Sequence, residues 1–336
     1  MVSMKDIAKA CGVSVATVSK ALSGQPDIGE QTRELICRTA DSLGYMTNSA
    51  ARALKTNRTY NIGVLFVDER RSGLAHEYFS AVLESLKVEA EANGYDITFI
   101  NRNVGKKATT YLQHCQYRGV DGVVIACVDF NDPQVLELVN SRLPVVTIDH
   151  VFNNRAAVVS DNVRGMEELV RYVYAKGHRR IAALTADPDD SSISQLRYSG
   201  YARALRELGI PPEEEDVICA DDFTVESGCR AMRERLKRPA DFTAVFAIAD
   251  DMAIGAMRAL RESGRSIPED CSIIAIDGIN VSEYIHPMLT TLCQPMTAMG
   301  TKSVELLLGV IRGGAHDHLT LPTTLRAGES VRDLTK

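Results

Sequence analysis

From Asn61 onward the chain alternates short apolar runs with amphipathic stretches, and it does so twice over. IGVLFV at 62–67, YDITFI at 95–100, VDGVVIA at 120–126, LPVVTID at 143–149 and AVVSD at 157–161 form the first series. RRIAALT at 179–185, DVICA at 216–220, AVFAIA at 244–249 and SIIAIDG at 272–278 form the second. Runs apolar on successive residues have no face to give to water. They fit a parallel sheet covered by helices on both sides, whereas a half-exposed strand would alternate. The stretches between them carry helical spacing, as in Phe79 to Asn93, Asn162 to Lys176 and Met252 to Ser263. The pattern predicts two similar doubly wound lobes, with a ligand cleft where the carboxyl ends of their strands meet. One lobe spans 61–160 with 291–336, which holds a helix from Ala298 and a last strand over 320–325; the other spans 161–290.

The first sixty residues differ in kind. They hold eight Lys or Arg against five Asp or Glu, a net +3, while the remainder holds 30 against 39, a net −9. Phosphate backbones reward such local positive charge. Met4 to Gly24 reads MKDIAKACGVSVATVSKALSG, two short helices about a turn. Ser3 caps the first, Gly12 ends it and Ser14 caps the second. The spacing turns Val18, Ala21 and Leu22 inward and leaves Val15, Ala16, Ser19 and Lys20 outward, the layout of a helix offered to the major groove. Thr17 and Ser19 suit phosphate contact or hold the turn. A third helix follows Ile28, with Glu30, Leu35, Ile36, Thr39, Ala40 and Leu43 read as core. The head therefore spans 1–46 as a small all-α helix-turn-helix. Residues 47–60 then form a short Ala-rich helix and linker, too small to persist alone. There Leu54 has little core nearby; it is either a packing residue or an apolar wedge for a minor groove.

The cleft candidates follow from the strand ends: His76 and Phe79 after the first run, Asp149, Arg197, Phe223, Asp250 and Asp277. Aromatic faces with Asp and Arg suit a hydroxyl-rich ring, whose CH faces stack and whose hydroxyls bond charged groups. No nucleophile–base pair, phosphate loop or GxGxxG after a strand is present, so neither an enzyme nor a bound cofactor is expected. The eight cysteines form no CxxC and the histidines are scattered, so no metal site is expected. Met1 to Ala10 lacks the apolar stretch of a signal peptide, and no run is apolar enough to span a membrane. The expectation is a cytoplasmic protein with no membrane partner.

The order of these parts resembles the lactose-repressor (LacI/GalR) family of bacterial transcription regulators over the whole chain. MKDIAKACGVSVATVSKALSG is similar to the family's helix-turn-helix signature, LGYMTNSAARALKT at 43–56 to its hinge, and NIGVLF at 61–66 to the first strand of its periplasmic-binding-protein-like core. IIAIDG followed by HPMLTTLCQP resembles the late strand and crossover. The resemblance implies that Val15, Ala16 and Lys20 discriminate bases, and that Thr17 and Ser19 belong to the core of that helix. It implies a DNA role for Asn48, Ala51, Leu54 and Lys55, with Leu54 entering the minor groove. It makes Arg197, Phe223 and Asp277 effector contacts and Asp149 and Asp161 common acidic strand-end positions, Asp161 with Asn162 being structural. The partners implied are near-palindromic double-stranded operator DNA, a small-molecule effector of carbohydrate type and a second copy in a homodimer. Two departures stand out. Thr47 occupies the place of the usual hinge proline, which removes a fixed φ, and Ala249 offers no hydroxyl partner before Asp250. A sugar-binding sensor without DNA function is the competing reading, and the basic head speaks against it.

Overall fold

The computed structural model describes residues 2–45, 58–67, 74, 76–186, 192–239 and 241–336. The chain divides into a head, Met1–Thr59, and a body, Tyr60–Lys336.

In the head, α1 (Met4–Cys11), α2 (Val15–Leu22) and α3 (Glu30–Ser42) close on Ile7, Ala8, Val18, Ala21, Ile36 and Ala40. α2 and α3 each contribute two residues three or four apart, the spacing that aligns side chains on one face, and α1 contributes the adjacent Ile7 and Ala8. Ser3 donates both its N–H and its hydroxyl to Asp6, at 2.8 and 2.7 Å, which fixes the start of α1. Gly12 ends it at φ 68°. Three residues depart from expectation. Glu30, in the first turn of α3, is exposed, and so are Leu35 and Leu43, because the inward stripe of α3 is Ile36 and Ala40.

The body carries two six-stranded sheets. The first contains β1 (Asn61–Phe66), β2 (Asp96–Phe99), β5 (Gly122–Cys127), β6 (Val145–Ile148), β7 (Ala156–Ser160) and β13 (His318–Leu321). A small hairpin of β3 (Asn103–Val104) and β4 (Lys107–Ala108), not foreseen from the sequence, follows β2. The second sheet contains β8 (Ile181–Ala186), β9 (Val217–Ala220), β10 (Ala244–Ala247), β11 (Ser272–Asp277), β12 (Thr290–Cys293) and β14 (Thr324–Arg326). Their orders, β2-β1-β5-β6-β7-β13 and β9-β8-β10-β11-β12-β14, are the same arrangement built twice. The first sheet is parallel throughout, while in the second β14 runs antiparallel to β12.

That last strand corrects the expected lobe boundaries. The predicted single strand over 320–325 is two strands in different sheets, broken at Pro322 and Thr323. Residues 291–336 therefore do not all join the first lobe. β12 completes the second sheet, the helix Met296–Ile311 returns to the first, β13 ends there, and β14 and the tail go back to the second. Ser330 and Leu334 stitch that tail onto the second lobe, through Ile273 and Lys176. The chain so crosses between lobes after β7, after β12 and after β13. The helix Met296–Ile311 packs against the helix Glu77–Ala92 at very close range. A Cβ on Gly300 would lie 2.2 Å from the Val82 carbonyl oxygen, so only glycine fits the crossing.

Candidate functional site

The outward face of α2 is present as expected. Val15, Ala16 and Lys20 are exposed, and Val18 and Ala21 are buried against α1 and α3. Thr17 is drawn into the helix start: its N–H donates to Ser14 Oγ at 3.0 Å and the two hydroxyls lie 2.8 Å apart. Its hydroxyl therefore serves the turn. Ser19 is half-buried. Lys20 Nζ lies 2.5 Å from Asp27 Oδ2, a partner that the sequence reading did not give it. Asn48, Ala51, Leu54 and Lys55 lie outside the described residues, as do most of the expected hinge and linker.

In the body, Asp149 and Asp277 occupy matching places, one just after β6 and the other closing β11, the fourth strands of their sheets. Both hold positive φ, 59° and 147°, which non-glycine residues rarely adopt and which turns each side chain out of its strand. Asp149 accepts a hydrogen bond from the Tyr78 hydroxyl. Its Oδ1 is buried and has no well-formed hydrogen bond among the described residues. Burial raises the Asp149 carboxyl above its usual range, against the Tyr78 bond and the Arg197 charge. Burial and the Asp149 charge hold the Tyr78 phenol well above its own.

Asp277 sits instead within a polar chain. Its Oδ1 lies 3.1 Å from Arg197 Nη2 and accepts from Gln294 Nε2 at 2.7 Å. Gln294 Oε1 in turn accepts from the Ser160 hydroxyl at 2.7 Å. Arg197 is buried and further committed: Nη1 donates to the Ile248 carbonyl at 2.5 Å and Nε to Asn162 Oδ1 at 3.2 Å. Ser160 and Gln294 stand at two of the three crossovers, so the chain from Ser160 through Gln294 and Asp277 to Arg197 runs from first lobe to second. Met299 ties the two halves of this floor together, its sulfur lying 3.2 Å from the Tyr78 hydroxyl and 3.3 Å from the Ser160 hydroxyl.

Among the described residues, two direct contacts join the lobes at the rim. The Asn280 N–H donates to the Glu77 carboxylate, and His76 Nε2 lies 3.9 Å from Asp251 Oδ2. Phe79, expected at the cleft, is half-buried in an aromatic group with Phe66, Tyr78 and His76, centroids 5.0–5.3 Å away. Phe223 packs half-buried against the second lobe's core. A cavity of about 540 Å³ opens between the lobes at the crossover side, lined by Asp149, His150, Ser160, Asn162, Gln195 and Leu196 among others. Its volume suits a small ligand. Asp149 alone of the expected effector residues lines it, while Ser160 and Asn162 carry the chain to Asp277 and Arg197.

Asp250 does not join this group. Its Oδ2 accepts from the Gly278 and Ile279 N–H groups at 2.9 and 3.0 Å, and its Oδ1 accepts from the Thr291 hydroxyl at 2.5 Å. Both oxygens are spent inside the second lobe, holding the loop after β11. Burial, with the Asp277 charge behind it, pushes its carboxyl up to about 7. Asp161 likewise caps a helix, accepting from the Arg164 N–H at 3.2 Å. Tyr78 and Gln294 are the site residues the sequence reading missed. A buried tyrosine hydroxyl needs a partner, which was the available signal for the first; Gln294 had only its place beside a strand end. No group of three or more His, Cys, Asp or Glu able to hold a metal occurs among the described residues.

Comparison with known proteins follows this division. Residues 3–48 match the family model of bacterial regulatory proteins, lacI family, and residues 170–331 match a periplasmic binding protein-like domain. The HTH-type transcriptional regulator CelR of Thermobifida fusca is 31% identical over 330 residues, covering 96% of both chains. The chain belongs to the lacI family. The HTH-type transcriptional repressor PurR of Vibrio atlanticus is another lacI-family relative, 30% identical over 94% of both chains. Among solved structures, the lac repressor dimer bound to operator and the anti-inducer ONPF superposes with a TM-score of 0.83 at 26% identity, covering 98% of this chain and 99% of that one. A CelR–cellobiose complex superposes at 0.71 and 29% identity, over 98% and 100%. This lacI-family protein is accordingly a helix-turn-helix transcriptional regulator with a two-lobe α/β body. No helix among its described residues is long and apolar enough to cross a membrane.

Proposed function

We propose that this regulator is a cytoplasmic repressor that binds a near-palindromic operator as a homodimer and is controlled by an uncharged carbohydrate between its lobes. The observation that carries the effector class is the balance of charge in the cleft. Two carboxyl groups approach from opposite lobes, and the guanidinium of Arg197 is bonded to only one of them, Asp277, and also serves Asn162 and Ile248. Among the described residues, a phosphate or carboxylate ligand would meet two acids and no uncommitted cation there. Sugar hydroxyls instead donate to the acceptors that remain, Asp149 Oδ1 and the second oxygen of Asp277. Phe79 and Phe223 supply apolar faces for the ring. The relatives support this reading: CelR is known with cellobiose, and a lacI-family regulator of Enterococcus faecium with ribose, at 29% identity and a TM-score of 0.70. The lac repressor dimer on its operator supports the DNA reading, with Val15, Ala16 and Lys20 facing bases and two heads meeting two half-sites.

The test is thermal melting of the full chain with neutral mono- and disaccharides, their phosphorylated counterparts and purines, each in excess. A ligand at a hundred times its Kd adds about 2.7 kcal/mol. Stabilisation by a neutral sugar alone supports the proposal. Stabilisation by phosphorylated sugars alone, or by purines alone, refutes the effector class and leaves the DNA reading intact. The competing role, a sensor without DNA function, predicts no salt-dependent binding to any duplex.

A further inference from the structure

The head holds a contact that does not follow from a helix-turn-helix as such. Lys20, on the outward face of α2, is bound by a carboxylate from the loop that follows the helix. That loop is built rather than slack. The Gln25 N–H returns to the Lys20 carbonyl at 3.1 Å. Gly24 turns the chain at φ 69° and donates to the Ala21 carbonyl at 3.0 Å. From α3, Arg33 Nη2 donates to the Gln25 carbonyl at 2.7 Å and to the Ile28 carbonyl at 3.4 Å. Asp27 is thereby held at a fixed place beside the reading face. The lysine bond in turn lowers its carboxyl below the usual range.

A free lysine at this place would be a mobile point charge, able to find any phosphate and so adding affinity for every sequence. Bonded to Asp27, the pair is neutral. It releases no counterion on meeting DNA, yet Lys20 keeps two N–H donors, and their directions are set by the tether. Directed donors suit the O6 and N7 acceptors of guanine in the major groove. We propose that Asp27 is a specificity-determining residue, which cancels the sequence-independent charge of Lys20 and aims its remaining donors at a base edge. This rests on the reading of Lys20 as a base-contacting residue.

The experiment uses the full chain and two probes: a random-sequence duplex, and an operator enriched from a random pool with the unaltered protein. Binding is titrated against salt for D27N, K20A and the double variant. D27N should bind the random duplex several-fold more tightly at low salt. Its plot of log K against log salt should steepen by about 1.8 for a dimer, about 0.9 for each lysine returned to phosphate contact. The operator should gain less, so the ratio of operator to random affinity falls about three- to tenfold. An unchanged salt slope with an unchanged ratio overturns the proposal. D27N should be silent in the K20A background. Tightening that persists there shows Asp27 acting as a bare repulsive charge and also overturns it. K20A alone reports on the underlying reading: a ratio equal to that of the unaltered protein sinks the base contact and the proposal with it, and a lowered ratio sustains both.

Discussion

Asp149 and Asp277 stand at the same place in two copies of one fold, and the protein treats them oppositely. The first lobe gives its acid a phenol and, among the described residues, no direct cation; the second gives its acid a guanidinium and an amide. A repeated scaffold thus fixes where a side chain emerges, while the neighbours decide what that side chain is. In the first lobe burial is the largest influence and the carboxyl is pushed up. In the second, Arg197 and Gln294 both bond the carboxylate directly.

The strongest way to break this contrast is to remove the acid of the second lobe. Asp277→Ala strands Arg197 as a buried cation without its counterion, an effect on the order of 3–5 kcal/mol. The melting temperature of the full chain should fall steeply, and Asp277→Asn, which keeps an acceptor for Gln294, should fall less. A melting temperature equal to the unaltered protein's would mean that Arg197 is not held by Asp277. Tyr78→Phe should cost less, about 1–3 kcal/mol, since it leaves a buried acceptor on Asp149 without its donor. Denaturant titration measures it, and a neutral result would show that water replaces the phenol.

A third effect is in pH. A carboxyl whose folded pKa lies above its unfolded value stabilises the fold fully below the unfolded value, near 3.9, and that contribution is lost as pH rises through the folded one. Asp149 and Asp250 both have this sign, and for Asp250 the window runs from about 4 to about 7. Asp149→Asn and Asp250→Asn should therefore gain melting temperature relative to the unaltered protein as pH rises from 4 to 8. A parallel pair of curves across that range would show that these acids do not change protonation on unfolding.

Much of this molecule is legible before any coordinates. The strand runs were read from their apolar content, because strands covered on both faces have no other way to be written. The reading face of α2 followed from helical spacing. What failed was long-range. A run such as Thr320 to Leu325 reads as one strand, since nothing in a period of two reveals which sheet edge each residue meets. Pro322 was the only local mark of the break. Asp250 looked like a ligand contact from its place at a strand end, but its oxygens are claimed by Gly278, Ile279 and Thr291 across the loop. Gln294 drew no notice because its two partners come from positions 160 and 277.

The passage from β13 to β14 bears on how such a protein can change over generations. Head and body are joined by a single passage of chain, so one recombination point near residue 60 can exchange a reading head for another. The lobes allow no such trade. A segment ending anywhere between β7 and β14 takes part of one sheet and leaves part of the other, because the last strand of each is written side by side at the end of the gene. New ligand preferences in this body must therefore arise residue by residue within an inherited pair, while new DNA targets can be acquired whole.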